Sequence, residues 1–264
     1  MSVLARNNVR VLGQSGPPMV FAHGFGCDQS MWRLVAPHFL DRFQVVLFDL
    51  VGAGQSDLNA WSAEKYQSLH GHAQDTVEII RALDLGRVVF VGHSVSAMIG
   101  VLAARAAPEL FSHLVLVGPS PRYIDDGDYV GGFSAAEIEE LLEFLDNNHM
   151  GWSAGMAPTI MGNKERPDLS EDLTNSFCRS DPKILQHFAR TTFTADNRSD
   201  LRHVTTPTLI LQCREDVIAP LEVGAYVHRS IPNSKLVTLD ATGHCPNLSA
   251  PKETETAIRS FLAA

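Results

Sequence analysis

The chain lacks any apolar stretch approaching the roughly 18 residues that a membrane-crossing helix needs, so no membrane span is predicted. Its first residues, Met1 to Arg6, carry no apolar signal core. Cysteine is scarce. Cys27, Cys178, Cys213 and Cys245 stand far apart with no C-x-x-C pair, which argues against a disulfide framework or a cysteine-held metal site. These absences read together as a reduced, cytoplasmic protein. Positive charge is in deficit as well: 21 Lys and Arg against 30 Asp and Glu give a net charge of −9, which repels phosphate backbones and argues against nucleic acid as a partner. Neither G-x-G-x-x-G nor G-x-x-x-x-G-K-[ST] occurs, so the glycine-rich segments at His23 to Gly26 and Gly52 to Gly54 are not phosphate cradles.

What is present is a globular composition. The 264 residues are 45% apolar, and a chain of this length can bury roughly 75% of its unfolded surface without metal or disulfide support. Short β-rich runs at Met19–Ala22, Gln44–Phe48, Arg87–Val91, His113–Val117, Thr208–Gln212 and Lys235–Leu239 alternate with helical patterns at Met31–Leu40, Gly71–Leu83, Ala97–Ala107, Leu221–Ser230 and Lys252–Leu262. Such alternation predicts a mostly parallel central sheet with helices on both faces. A first strand near Val9–Leu12, followed by a Gly- and Pro-rich turn, is expected as an antiparallel edge hairpin.

The alternation stops between about Pro121 and Leu201, where helical periodicity runs without a strand. Helices are expected at Ala135–Asn147, Gly151–Met161, Glu171–Arg179 and Pro182–Thr192, with Ser170 and Asp181 as N-caps. Ser120 to Asp200 holds 15 acidic and 7 basic residues, against 15 and 14 elsewhere, so the acid excess lies in this segment. The division expected is a core of residues 1–120 and 201–264 with a helical insertion at 121–200. The acid is read as the wet face of these helices.

At Val89 to Gly100 a β pattern runs into a helix with Ser94 at the junction, the strand–turn–helix setting of a nucleophile elbow. Gly92 obeys G-x-S-x-G, whereas Ser96 stands where the second glycine would be. The rival reading makes Ser94 a plain helix N-cap. A serine nucleophile needs a base and an orienting acid, in the chain order Ser, Asp or Glu, His. Glu215-Asp216 follows one predicted strand and His244 follows another, both at carboxyl ends, where open α/β sheets build their sites. Asp216 is preferred over Glu215 because the apolar Val217 to Pro220 turn would bury it beside His244. The backbone amides of Phe25 and Val95 are expected to form an oxyanion hole. His93 is expected to pack in the elbow, and His149, His187, His203 and His228 to face solvent; His70 and His72, two apart, do not suggest a metal site.

Taken together, these residues resemble the α/β-hydrolase superfamily along essentially the whole chain. Phe25 to Gln29, Gly92 to Gly100, Gly131 to Phe133 and Gly243 to Pro246 are similar to its RsbQ-like bacterial branch, related to the plant strigolactone and karrikin receptors. The resemblance implies the Ser94, Asp216, His244 triad and a four-helix lid over an apolar cavity, with Phe133, Trp152 and Phe193 on the cavity wall and Phe133 and Phe193 preferred over Trp152. It implies no cofactor. The activity expected is hydrolysis of a small, largely apolar ester or lactone through an acyl-enzyme. The alternative is a signalling hydrolase that binds or slowly turns over a small ligand and engages a protein partner, a regulatory phosphatase or another signalling protein.

Overall fold

The computed structural model describes residues 2–263. Seven strands form one sheet: β1 (Arg10–Leu12), β2 (Pro18–Ala22), β3 (Gln44–Phe48), β4 (Val88–His93), β5 (Phe111–Val117), β6 (Thr208–Glu215) and β7 (Ser234–Thr242), in the order β1-β3-β2-β4-β5-β6-β7. Every pairing is parallel except that of β1 with β3. The central strand β4 is buried at every position, as its unbroken Val-Val-Phe-Val run requires of a strand covered on both faces, whereas most of β7 at the edge is half-buried or exposed.

The helices are α1 (Val3–Arg6), α2 (His70–Ala82), α3 (Val95–Ala106), α4 (Ala135–Asn147), α5 (His149–Met161), α6 (Pro167–Arg179), α7 (Pro182–Phe193), α8 (Arg198–Leu201), α9 (Leu221–Ser230), α10 (Pro246–Ser249) and α11 (Pro251–Leu262). Helices α3, α9 and α11 pack on the strands and α2 packs on α3. Five consecutive helices, the long α4 to α7 and the short α8, separate β5 from β6. Local signals set their ends: Ser134 and Glu137 close a capping box on α4, and the Asp181 carboxylate accepts from the Ile184 amide at the start of α7. Among the described residues no helix is long and apolar enough to cross a membrane.

Three local expectations are corrected. Strand β1 is an antiparallel edge but not half of a hairpin, because β3 lies between it and β2. The intervening loop crosses the start of β3 so closely that a Cβ on Gly16, at φ +101°, would sit 2.4 Å from the Arg42 carbonyl oxygen. Residues Met31–Leu40 form two short 3₁₀ turns, Gln29–Trp32 and Ala36–Phe39, in place of an α-helix. Pro37 lacks the amide such a helix needs and disfavours helical geometry at Ala36. Ser170 lies inside α6, which begins three residues earlier because Pro167 suits the first helical position.

Candidate active site

The site is assembled from the carboxyl ends of β4, β6 and β7. Ser94, between β4 and α3, has φ +56° and ψ −121°, a strained backbone that turns its side chain out of the helix. Its hydroxyl does not cap α3, so the N-cap reading is excluded. A tight turn demands small neighbours: a Cβ on Gly92 would fall 2.3 Å from the Ser96 carbonyl oxygen. Ser96 is tolerated where glycine was expected, and its hydroxyl donates to the His23 carbonyl at 2.5 Å. That bond ties the elbow to the loop after β2.

Ser94 Oγ lies 2.7 Å from His244 Nε2, and His244 Nδ1 lies 2.7 Å from Asp216 Oδ2. The other Asp216 oxygen accepts from the amides of Ile218 and Ala219 at 2.9 and 3.1 Å. Burial opposes the Asp216 charge, yet His244 and those two amides outweigh it and hold the carboxyl below its ordinary value. Glu215 points to solvent and accepts from the Thr242 hydroxyl. Asp216, with both oxygens committed, is therefore the carboxylate in contact with His244.

His93 does more than fill space. Its Nε2 donates to the His244 carbonyl at 2.7 Å, which steadies the loop carrying His244, and burial pushes its own pKa down to about 3. On the opposite side His23 Nδ1 donates to the Gly24 carbonyl while its Nε2 accepts from the Leu50 amide, so the start of the loop bearing Phe25 is tied to the loop after β3. The amides of Phe25 and Val95 make no hydrogen bond among the described residues.

Above Ser94 lies a cavity of about 30 Å³, room for roughly one or two waters. Its wall includes Phe25, Ile160, Leu173, Phe177, Phe193 and Ile218, together with Tyr123 and Thr192. Phe193, read from the sequence as a wall residue, borders this cavity. Trp152 is fully buried one layer further out, edge-on to Phe25 at 6.1 Å and 5.2 Å from Phe177. Phe133 is corrected: it is half-buried in the loop before α4, bridged to Ile124, and does not line the cavity. Burial raises the Tyr123 phenol to about 12, so it stays protonated beside Ser94 on the cavity wall. Cys27 and Cys245 also border the cavity, and burial pushes the Cys27 thiol up to about 12, so it stays protonated and unreactive.

Sequence reasoning missed Tyr123, Ile160, Leu173, Phe177, Thr192 and Ile218. For two of them a signal existed: Leu169, Leu173 and Phe177 recur every four residues and mark one face of α6. It also misplaced two histidines. His149 and His187 are half-buried and bond the carbonyls of Phe177 and Tyr66, His187 fastening α7 to the segment before α2. Further ties join the four helices to the core: Ser176 donates to the Gly26 carbonyl, Arg33 pairs with Asp172, and the His244 amide donates to the Ile160 carbonyl at 2.8 Å.

A seven-stranded, mostly parallel sheet that carries a serine on a strained turn and two partners on later strand ends defines a class. The Alpha/beta hydrolase family profile matches residues 19–257, and the chain belongs to that family. It is 38% identical over 246 residues to karrikin insensitive 2 receptor CA of Petunia hybrida, covering 93% of this chain and 91% of that protein. Strigolactone esterase D14 of Arabidopsis thaliana is 37% identical over 262 residues, or 99% and 98% of the two chains. A solved hydrolase from Oleispira antarctica superposes with a TM-score of 0.96 at 41% identity, covering 99% of this chain and 97% of that one. The expected likeness to the plant receptors holds over most of the chain.

Proposed function

We propose that the protein is a serine hydrolase that cleaves a small, largely apolar ester or lactone through an acyl-enzyme on Ser94. The observation that carries this reading is the unbroken pair of 2.7 Å hydrogen bonds from Ser94 through His244 to Asp216 beneath an apolar cavity. Ser94 Oγ attacks the carbonyl carbon as its proton passes to His244 Nε2. The carbonyl oxygen becomes an oxyanion and takes up the unspent amides of Phe25 and Val95. Collapse breaks the ester bond, and the leaving oxygen receives the proton from His244; in a lactone it stays tethered to the acyl group. Water then attacks the acyl carbon, gives its proton to His244, and frees the acid as Ser94 is reprotonated. Asp216 keeps the imidazole in the tautomer with its proton on Nδ1.

Residues 121–200 serve as a lid in this proposal. The closed cavity is far smaller than an ester, so the lid must shift to admit one. The four cysteines are free, which suits a reducing cytoplasm. The tight closure also favours a second reading, in which ligand-driven movement of the lid is the output and a protein partner reads it. Mass spectrometry of the intact protein after exposure to aryl esters and butenolide lactones tests both, with Ser94→Ala as control. Rapid turnover with a transient acyl adduct on Ser94 supports the hydrolase. Slow turnover with a ligand-dependent change in lid stability supports the signalling role, and no adduct with any ester removes Ser94 as nucleophile.

A further inference from the structure

Thr192, in the last turn of α7, lies on the cavity wall at 1% exposure, and its hydroxyl has no hydrogen-bond partner among the described residues. This sets it apart from its neighbours in kind. Helical threonines commonly return the hydroxyl to the carbonyl four residues back, as Thr76, Thr159, Thr174, Thr254 and Thr256 do here. Thr191, the preceding residue, bonds the Tyr66 carbonyl instead. A buried hydroxyl without a partner destabilises the empty protein, and half of the other residues on this wall are phenylalanine, leucine or isoleucine.

We infer that Thr192 is a specificity residue whose hydroxyl bonds a second oxygen of the substrate, one outside the scissile carboxyl group. This rests on the hydrolase reading above. The scissile carbonyl oxygen has the amides of Phe25 and Val95, and the leaving oxygen has His244, so neither needs Thr192. A hydroxyl both donates and accepts, so an ether, carbonyl or hydroxyl oxygen satisfies it. The substrate class is therefore an ester or lactone that is apolar except for one further oxygen. A methylene in that place leaves the hydroxyl unpaired and is selected against.

The test uses para-nitrophenyl esters in which each acyl methylene in turn is replaced by an ether oxygen, every one compared with its all-carbon parent. The quantity read is the ratio of kcat/KM, oxygen over methylene, in wild type, Thr192→Val and Thr192→Ser. At one chain position Thr192→Val should lower that ratio about tenfold, the effect of one neutral hydrogen bond, and Thr192→Ser should restore it. The thermal midpoint of Thr192→Val should equal or exceed that of wild type, because only an unpaired hydroxyl is lost. A ratio unchanged at every position overturns the inference, as does an equal fall in Thr192→Ser, which would make shape the cause. If wild type cleaves none of these esters, the hydrolase reading has failed separately. Thermal shifts with matched non-hydrolysable ketones then decide on Thr192: an oxygen preference lost in Thr192→Val sustains its role, and equal shifts end it.

Discussion

Truncating Phe193 to alanine should cost about 3 kcal/mol of stability and move the acyl preference toward longer chains. The ring is 6% exposed and packs 5.6 Å from Phe25 and 5.1 Å from Tyr123. A Phe→Ala change in a sealed core costs about 3–5 kcal/mol, partly through the void it leaves. Phe193 already has one side against the cavity, so fewer contacts are lost and the lower figure applies. For a domain of this size that corresponds to a fall in thermal midpoint of roughly 6–12 °C. The vacated space joins the cavity, and each further acyl methylene it takes in gains about 0.8 kcal/mol, roughly fourfold in kcat/KM. The assay pairs the thermal midpoint with kcat/KM across esters of increasing acyl length. Phe133→Ala is the control: it should destabilise without altering length preference, because Phe133 lies off the cavity wall. A large midpoint loss in Phe193→Ala with unchanged length preference would refute the reasoning and make the ring simple lid packing.

Ser94→Ala should lower kcat by about 10⁴-fold or more while the thermal midpoint stays near wild type, since only the attacking oxygen is lost; a loss under about tenfold would remove the nucleophile assignment. Asp216→Asn should cost on the order of 10³ to 10⁴ in kcat by releasing the His244 tautomer, whereas solvent-facing Glu215→Gln should stay within about threefold. The larger loss in Glu215→Gln would reassign the acid. Stability should fall with acidity through His72 and His93, whose buried rings have pKa values lowered from 6.5 to about 3. Below pH 6.5 the unfolded chain takes up protons that the folded chain refuses, so their contribution is full above 6.5 and is lost progressively toward pH 3. At about pH 5 each group removes roughly 2 kcal/mol, and urea midpoints should show it. His72→Phe should remove about half of that histidine slope; identical midpoints at about pH 7.5 and 5 in wild type would sink the argument.

The core was legible because its physics is local and repetitive. A strand buried on both faces is written as a nearly unbroken apolar run, and Gln44–Phe48 and the α9 span Leu221–Ser230 match the observed bounds at both ends. The failures lie where one residue competes with a pattern. Met31–Leu40 has helical spacing, but Pro37 breaks it into 3₁₀ turns. The partner of β1 depends on which strand inserts beside it, and no property of Val9–Leu12 carries that information.

The serine, aspartate and histidine were legible for a related reason. Each follows the carboxyl end of a readable strand, and a parallel sheet brings all such ends to one edge, so chain order alone places Ser94, Asp216 and His244 near one another. No equivalent rule covers helices α4 to α7. Their apolar faces must pack on each other, on the core and around the cavity, and helical periodicity is the same for all three. Helix α5 illustrates the difficulty: Trp152 and Ile160 are both buried, yet Ile160 borders the cavity while Trp152 stands behind Phe25. The orphaned Thr192 hydroxyl is subtler still. Whether a helical threonine satisfies itself on the preceding turn is decided by its rotamer, so a polar group on the cavity wall becomes visible only when every hydrogen-bond partner can be accounted for.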